Sequence, residues 1–130
     1  MNHCNSCIES YSSVDLGNEA ETEACIFLQK NGMQFIQQNY RFEKYGEIDL
    51  IMRDGIYLVF IEVKLRNEND YGEAIEMISI GKRARIIRAA KRYLQEKRLV
   101  DKEFCRFDVV AISPRNKEKI TWIQDAFQVE

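Results

Sequence analysis

Four charged side chains interrupt two apolar segments in the first half of the chain. The stretch reads GEIDLIMRDGIYLVFIEVK, residues 46–64, and the charged residues are Glu47, Asp49, Glu62 and Lys64. Clustered carboxylates bind hard divalent cations, and a lysine beside them can orient or deprotonate an attacking water. These residue types therefore indicate metal-assisted hydrolysis of a phosphate ester.

The spacing of the two segments predicts how their acids meet. Asp54-Gly55 favours a two-residue turn, so the segments are expected to pair as antiparallel strands. Such a turn sets Asp49 opposite Phe60 and Glu47 opposite Glu62. Because side chains alternate along a strand, the four charged residues then share one face of the sheet.

On that face Asp49 and Glu62 become diagonal neighbours that can reach one ion. We expect Mg²⁺ or Mn²⁺ between them, with the Val63 carbonyl as a further oxygen ligand and Lys64 beside the attacking water. The residues leave an alternative open, because a cross-strand salt bridge on a solvent-facing sheet would use the same side chains.

Positive charge is concentrated in one segment although the chain as a whole has a net charge of −2. Residues 82–98 carry eight basic side chains and one acidic side chain. This segment predicts contacts with the phosphates of nucleic acid through Lys82, Arg83, Arg85 and Arg88. A solvated helix face would have the same composition.

Length and composition predict one domain. The chain has 130 residues, of which 45% are hydrophobic, and it contains no apolar run long enough for a membrane span. We expect a tail over residues 1–15, a domain over residues 16–130, a cytoplasmic location and no membrane contact. Cys4 and Cys7 form a lone CxxC, which lacks the second pair of a closed zinc site.

Hydrophobic periodicity predicts a mixed α/β (α+β) fold with the order αβββαββ. Helices are expected over residues 17–31 and 73–97, the second with Ile86, Ile87, Ala90 and Leu94 inward and Gly81 as a break. The first helix should bury Leu16, Ala20, Ala24, Phe27 and Leu28. Strands are expected over residues 35–42, 47–52, 56–64, 106–112 and 119–124.

Several motifs together resemble a known family. They are GEIDLI, VFIEVK, the helix between Gly17 and Gly32, Asn39-Tyr40-Arg41 and RFDVV. Over about residues 17–127 the chain resembles the YraN-like family of bacterial proteins inferred to be endonucleases. That family is similar to the PD-(D/E)XK nuclease superfamily, in its Holliday-junction-resolvase-like branch. The resemblance implies a restriction-endonuclease-like core, a mixed central sheet flanked by helices.

The resemblance also implies roles for individual residues. The first acid of the superfamily motif falls on Asp49, the second acid on Glu62 and the lysine on Lys64. Ile48 stands where the motif has its proline, a departure that leaves the carboxylate in place.

Further positions follow from the same resemblance. It implies Glu21 as an additional acid of the metal site, although helical spacing alone does not choose between Glu21 and Glu23. It also places Arg41 and Arg66 along a phosphate path. We interpret Asp108 as the structural partner of a nearby cation.

The expected function is a Mg²⁺- or Mn²⁺-dependent endonuclease that hydrolyses phosphodiester bonds of DNA, including branched or structured DNA. Cutting a four-way junction would require two symmetric cuts and hence a homodimer. Two alternatives stay open: a non-catalytic nucleic-acid-binding module on the same scaffold, and a protein-interaction domain whose acids form salt bridges.

Overall fold

In the part of the chain that the structure describes, two helices and five strands follow one another in the predicted order αβββαββ. The computed structural model describes residues 16–44, 46–66, 76, 78–113 and 119–129. The predicted tail and the CxxC lie outside these residues. The elements are α1 (Leu16–Lys30), β1 (Gln34–Phe42), β2 (Gly46–Asp54), β3 (Tyr57–Leu65), α2 (Ile80–Glu96), β4 (Phe104–Ile112) and β5 (Ile120–Phe127).

The strands form one mixed sheet in the order β1-β2-β3-β4-β5. The pairs β1/β2, β2/β3 and β4/β5 are antiparallel, whereas β3 and β4 are parallel and α2 lies between them in sequence. The mixed central sheet that the sequence predicted is therefore confirmed. In the described part of the chain, no helix is long and apolar enough to cross a membrane.

The helices cover opposite faces of the sheet. Along β3, Leu58 and Phe60 pack in the core beneath α2, whereas Val59 and Ile61 pack in the core beneath α1. This alternation follows from the two-residue period of a strand that is buried on both sides. The helix residues buried against the sheet are Ala20, Ala24, Cys25 and Leu28 of α1 and Ile86, Ala89, Ala90 and Tyr93 of α2.

The buried stripe of each helix is rotated slightly from the predicted one. In α2, Ile87 and Leu94 are only half-buried, and Ala89 and Tyr93 take the inward positions. In α1, Phe27 is likewise half-buried and meets Trp122 edge to face. The predicted start of α2 at residue 73 lies outside the described residues, and the helix begins at Ile80.

The predicted register of the β2/β3 hairpin is wrong by two residues. Asp54 pairs with Tyr57, so Gly55-Ile56 forms the turn, and Gly55 adopts the left-handed backbone that such a turn requires. A shift of two residues keeps Asp49 and Glu62 on the same face of the sheet. It does change the partners, because Asp49 now precedes the Leu50↔Ile61 pair and comes opposite Glu62.

Asp108 fastens β5 to the sheet and has the structural role that the sequence predicted. Its carboxylate is fully buried and accepts two hydrogen bonds from Arg106, at 2.9 and 3.0 Å. It also accepts the Trp122 indole N–H at 2.9 Å and the Asp125 backbone N–H at 3.0 Å. Arg106 reaches Asp54 as well, at 2.9 Å. A buried charge needs such partners, and here it has them.

Candidate active site

Two acids from neighbouring strands meet at one end of the β2/β3 hairpin. Asp49 accepts a hydrogen bond from the Val63 backbone N–H, at 2.8 Å from Oδ2. Glu62 is buried, with 6% of its surface exposed, and its carboxyl group lies close enough to that of Asp49 for each to affect the pKa of the other. The structure thus brings together the two acids that the sequence predicted. The Val63 N–H contacts Asp49, and a role for the Val63 carbonyl stays a prediction.

Strand β2 changes its alternation at Asp49. Ile48 packs in the core beneath α2, whereas Leu50, two residues later, packs in the core beneath α1. Regular pairing with β3 begins only at Leu50. The backbone of the neighbouring strand β1 is also irregular at Asn39, which has a positive φ of 51°. The alternation of Leu50 and Ile51 puts Asp49 on the α2 face with Glu62, and the irregularity places Ile48 on that face as well.

Burial makes both acids bind protons more tightly than they would in water. Burial and the charge of Asp49 raise the pKa of Glu62 to about 8. Burial also raises the pKa of Asp49, and the hydrogen bond from Val63 opposes part of that effect. Two carboxyl groups that share a buried place cannot both ionise without a cation, so the pair favours either a shared proton or a bound cation.

The cation that contacts the pair belongs to α2. The Lys82 Nζ lies 3.2 Å from Oε2 of Glu62, and the lysine side chain is 42% exposed. Burial is the largest single effect and lowers the pKa of Lys82, but the neighbouring acids Glu62, Asp49 and Glu47 together outweigh it, so the pKa is raised overall. Ser79 caps the helix, and its side chain accepts a hydrogen bond from the Lys82 backbone N–H at 3.1 Å. This bond holds the backbone of Lys82 in place.

Lys64 lies on the face of the sheet that the sequence predicted, and its role beside the attacking water stays a prediction. The alternation along β3 puts it on the Glu62 face, half-buried, and it forms no ion pair with any residue that the structure describes. The sequence had assigned Lys82 to a phosphate path and missed its contact with Glu62. Nothing in the local pattern could reveal it, because Glu62 and Lys82 lie 20 positions apart in sequence and come into contact only in the folded chain.

Close packing between β2 and α2 holds Lys82 near the acids. A Cβ on Gly46 would overlap the Arg85 carbonyl oxygen and lie 3.1 Å from the Ala89 Cβ. Glycine therefore lets the beginning of β2 touch the helix backbone directly. Lys82 lies almost one turn before Arg85, so this contact sets the distance between Lys82 and the sheet.

A basic pocket of about 310 Å³ adjoins the acid pair. Lys82 belongs to both places, because it lines the pocket and contacts Glu62. Arg41 also lines the pocket and lies 3.4 Å from Glu47. The other charged residues of the lining are Glu43, Lys44 and Arg85. Four cations and two acids leave this pocket with an excess of positive charge, which suits an anion.

The remaining predicted residues are spread around this centre. Arg85 and Arg88 are exposed on α2, whereas Arg83 is held by a 2.9 Å bond to the Ile78 carbonyl and by the Phe127 ring. The Arg66 backbone N–H bonds to Ile112, which ties the end of β3 to β4.

Glu21 is half-buried on α1, across the sheet from α2, and it is not among the groups with the largest effects on the pKa of Asp49 or Glu62. Within the described ranges, no three acidic, histidine or cysteine side chains form a metal-binding group. The role assigned to Glu21 stays a prediction.

The acid pair has the donor chemistry of a magnesium site. Mg²⁺ is commonly held by one or two carboxylates and completes its shell with water or substrate oxygens, so two acids are sufficient. Each carboxyl group affects the pKa of the other, which indicates that they lie close together, and a divalent ion could bind between them in place of a proton. Asp49 and Glu62 would hold the ion, and Glu47 lies near enough to act electrostatically on Asp49.

Comparison with known proteins places the chain among bacterial relatives. The family model described as "Uncharacterised protein family UPF0102" matches residues 20–112. The chain belongs to the UPF0102 family. A UPF0102 protein of Coxiella burnetii (strain RSA 331 / Henzerling II) is 47% identical over 115 residues, which cover 88% of this chain and 93% of the relative.

Other UPF0102 proteins align over a similar length. The one from Nitrosococcus oceani is 47% identical over 117 residues, covering 89% of this chain and 94% of the relative. The one from Francisella tularensis subsp. tularensis is 38% identical over 117 residues, covering 90% and 97%. The match to UPF0102 includes Asp49, Glu62, Lys64 and Lys82, so the acid pair and its lysine lie within the family region.

Proposed function

We propose that this UPF0102 protein is a Mg²⁺- or Mn²⁺-dependent endonuclease that hydrolyses phosphodiester bonds of DNA. The observation that carries the proposal is the close pair of the half-buried Asp49 and the buried Glu62 beside a basic pocket. The resemblance to the PD-(D/E)XK superfamily supports the same reaction. We accordingly propose membership of that superfamily and a cytoplasmic site of action.

Each part of the site has a distinct task in this proposal. Asp49 and Glu62 bind the divalent ion, which would lower the pKa of a bound water and offset the charge of the phosphate. Arg41 and Arg85 bind phosphate oxygens of the strand and hold it across the acid pair. The Val63 N–H keeps Asp49 aimed at its partner. Lys64 lies on the Glu62 face, where it orients the attacking water.

The exposed basic side of α2 supports DNA as the polymer. Arg85 and Arg88 are exposed on this helix, and neutralised phosphates make binding dependent on salt. Branched or structured DNA is the substrate that the resolvase-like resemblance implies. Symmetric cutting of a junction would need two copies of the chain related by a twofold axis.

The proposal is tested by cleavage of fluorescent duplex and four-way-junction DNA in Mg²⁺ or Mn²⁺. Asp49→Asn and Glu62→Gln should reduce the cleavage rate by at least about a hundredfold while leaving DNA binding within about threefold. Asp101→Asn is the matched control, because Asp101 is exposed and its positive φ of 61° suits asparagine. Equal cleavage by the wild type and both acid variants would contradict the proposal.

One observation favours a second candidate, a nucleic-acid-binding module without catalysis. Lys82 already contacts Glu62, so an ammonium group partly compensates the acid pair without any metal. This candidate predicts DNA binding whose salt dependence is the same in the wild type and in Glu62→Gln, with no cleavage in either divalent ion.

A further inference from the structure

Lys82 belongs to two places whose charges differ in sign. Its Nζ lies 3.2 Å from the buried Glu62 carboxylate, and its side chain also lines the basic pocket. Lys64, the lysine of the family-like motif, has no such ion pair within the described part of the chain. The proposed reaction does not require this ion pair between Lys82 and Glu62.

We propose that Lys82 is the built-in counter-cation of the acid pair and that a divalent ion must displace it. The inference rests on the proposed function, because it assumes that Asp49 and Glu62 bind metal. An ion bound to Glu62 would lie within a few ångströms of an ammonium group in contact with the same carboxylate. With Glu62 shielded from water, two cations so close repel one another strongly.

The position of Lys82 allows this displacement without a change of fold. Its backbone is fixed by the Ser79 cap and by the contact between Gly46 and Arg85. Its side chain is 42% exposed and has a flexible four-carbon stem, so the ammonium group can leave Glu62 while the helix stays in place. The pocket that Lys82 lines then offers it a new partner, a phosphate oxygen of the substrate.

Binding of metal and binding of phosphate are therefore coupled through one side chain. Before metal binds, Lys82 compensates Glu62 and competes with the ion. After metal binds, the released ammonium adds a positive charge to the pocket, where Arg41 and Arg85 already lie. The lysine is thus a positioning and affinity-setting residue, which lowers metal affinity in the free protein and strengthens phosphate binding in the loaded one.

The test measures Mn²⁺ affinity without DNA, by electron paramagnetic resonance, on the full chain. Lys82→Met should bind Mn²⁺ about tenfold more tightly than the wild type, because the competing charge is gone. Lys91→Met is the matched control, since it removes the same side chain from an exposed position of the same helix. Its Mn²⁺ affinity should stay within about twofold of the wild type.

A second readout follows the lysine itself. In protein with ¹⁵N-labelled lysine side chains, the Lys82 signal is the one missing from Lys82→Met, and it should shift when Mg²⁺ is added. If Lys82→Met does not fold, Lys82→Gln serves in its place, because glutamine keeps much of the stem. Lys82→Arg should leave the Mn²⁺ affinity close to that of the wild type, since arginine retains the positive charge.

The outcomes separate this inference from the proposed function. If Mn²⁺ binding depends on Asp49 and Glu62 but is unchanged or weaker in Lys82→Met, the inference about Lys82 is wrong and the metal site stands. If Asp49→Asn and Glu62→Gln bind Mn²⁺ as the wild type does, the metal site is wrong and the inference is overturned with it.

Discussion

Glu62 holds its proton more tightly in the folded chain than in the unfolded chain. Burial and the neighbouring Asp49 charge raise its pKa from the ordinary value of 4.5 to about 8. Between these two values the unfolded chain has released a proton that the folded chain still binds. Raising the pH across this range therefore favours unfolding.

This difference predicts a pH dependence of stability in metal-free protein. The free energy of unfolding should fall by a few kcal/mol between about pH 5 and pH 8, because one pKa unit corresponds to about 1.4 kcal/mol. Glu62→Gln should remove most of that fall, since the amide cannot ionise. Urea unfolding in EDTA at pH 5, 7 and 9 measures the effect.

Asp101→Asn is again the control and should keep the pH dependence of the wild type. A Glu62→Gln protein whose stability falls with pH as steeply as that of the wild type would show that Glu62 is ionised throughout. The same protonation works against metal binding, so Mn²⁺ affinity should rise as the pH is raised towards 8.

At the scale of elements, the contact between β2 and α2 sets the geometry of the site. Gly46→Ala places a methyl group against the Arg85 carbonyl oxygen and should cost about 1–3 kcal/mol of unfolding free energy. It should also lower the cleavage rate, because pushing α2 outward moves Lys82 and Arg85 away from the acids. Chemical unfolding and a cleavage assay on the same samples measure both effects.

Gly81→Ala is the matched control on the same helix. A Cβ at Gly81 would lie 4.0 Å from the Ser79 Oγ, an ordinary contact, and alanine favours the helix. We expect unchanged or slightly higher stability and an unchanged cleavage rate. Equal effects of the two substitutions would show that the approach of β2 to α2 does not position the site.

The order of elements could be predicted from the sequence because hydrophobic period and turn residues are local signals. The hairpin register could not, because Asp54-Gly55 and Gly55-Ile56 are both compatible with a two-residue loop and pairing decided between them. The acid pair survived this error, since a shift of two residues preserves the faces. The contact between Lys82 of α2 and Glu62 of β3 joins residues that lie 20 positions apart in sequence. No local pattern specifies it.

At the scale of the whole molecule, the sheet separates two kinds of acid. Asp49 and Glu62 meet at one end of the β2/β3 hairpin, beside α2, with incomplete compensation. Asp108 lies in β4 with four hydrogen bonds, and it holds Trp122 and Asp125 of β5. A shielded acid with four hydrogen bonds stabilises the fold, whereas an acid pair with fewer partners is available for chemistry.

Two substitutions should separate these roles. Asp108→Asn breaks a buried ion pair and should lower the free energy of unfolding by about 3–5 kcal/mol, with cleavage per folded molecule retained. Asp49→Asn should keep or raise stability, because it relieves repulsion, and should abolish cleavage. Urea unfolding and cleavage at low temperature test both. If Asp108→Asn abolished cleavage at unchanged stability, and Asp49→Asn lowered stability but kept cleavage, the roles assigned to the two acids would be wrong.

The most direct test of the central claim is anomalous diffraction from crystals of the wild-type protein soaked in Mn²⁺. We expect a manganese peak in direct contact with carboxylate oxygens of both Asp49 and Glu62, with the Lys82 ammonium moved away from Glu62. The claim that this pair is a metal site would be contradicted by a different result. In that result the two carboxyl groups are well ordered and stay in contact with each other, and manganese peaks are found only elsewhere on the surface.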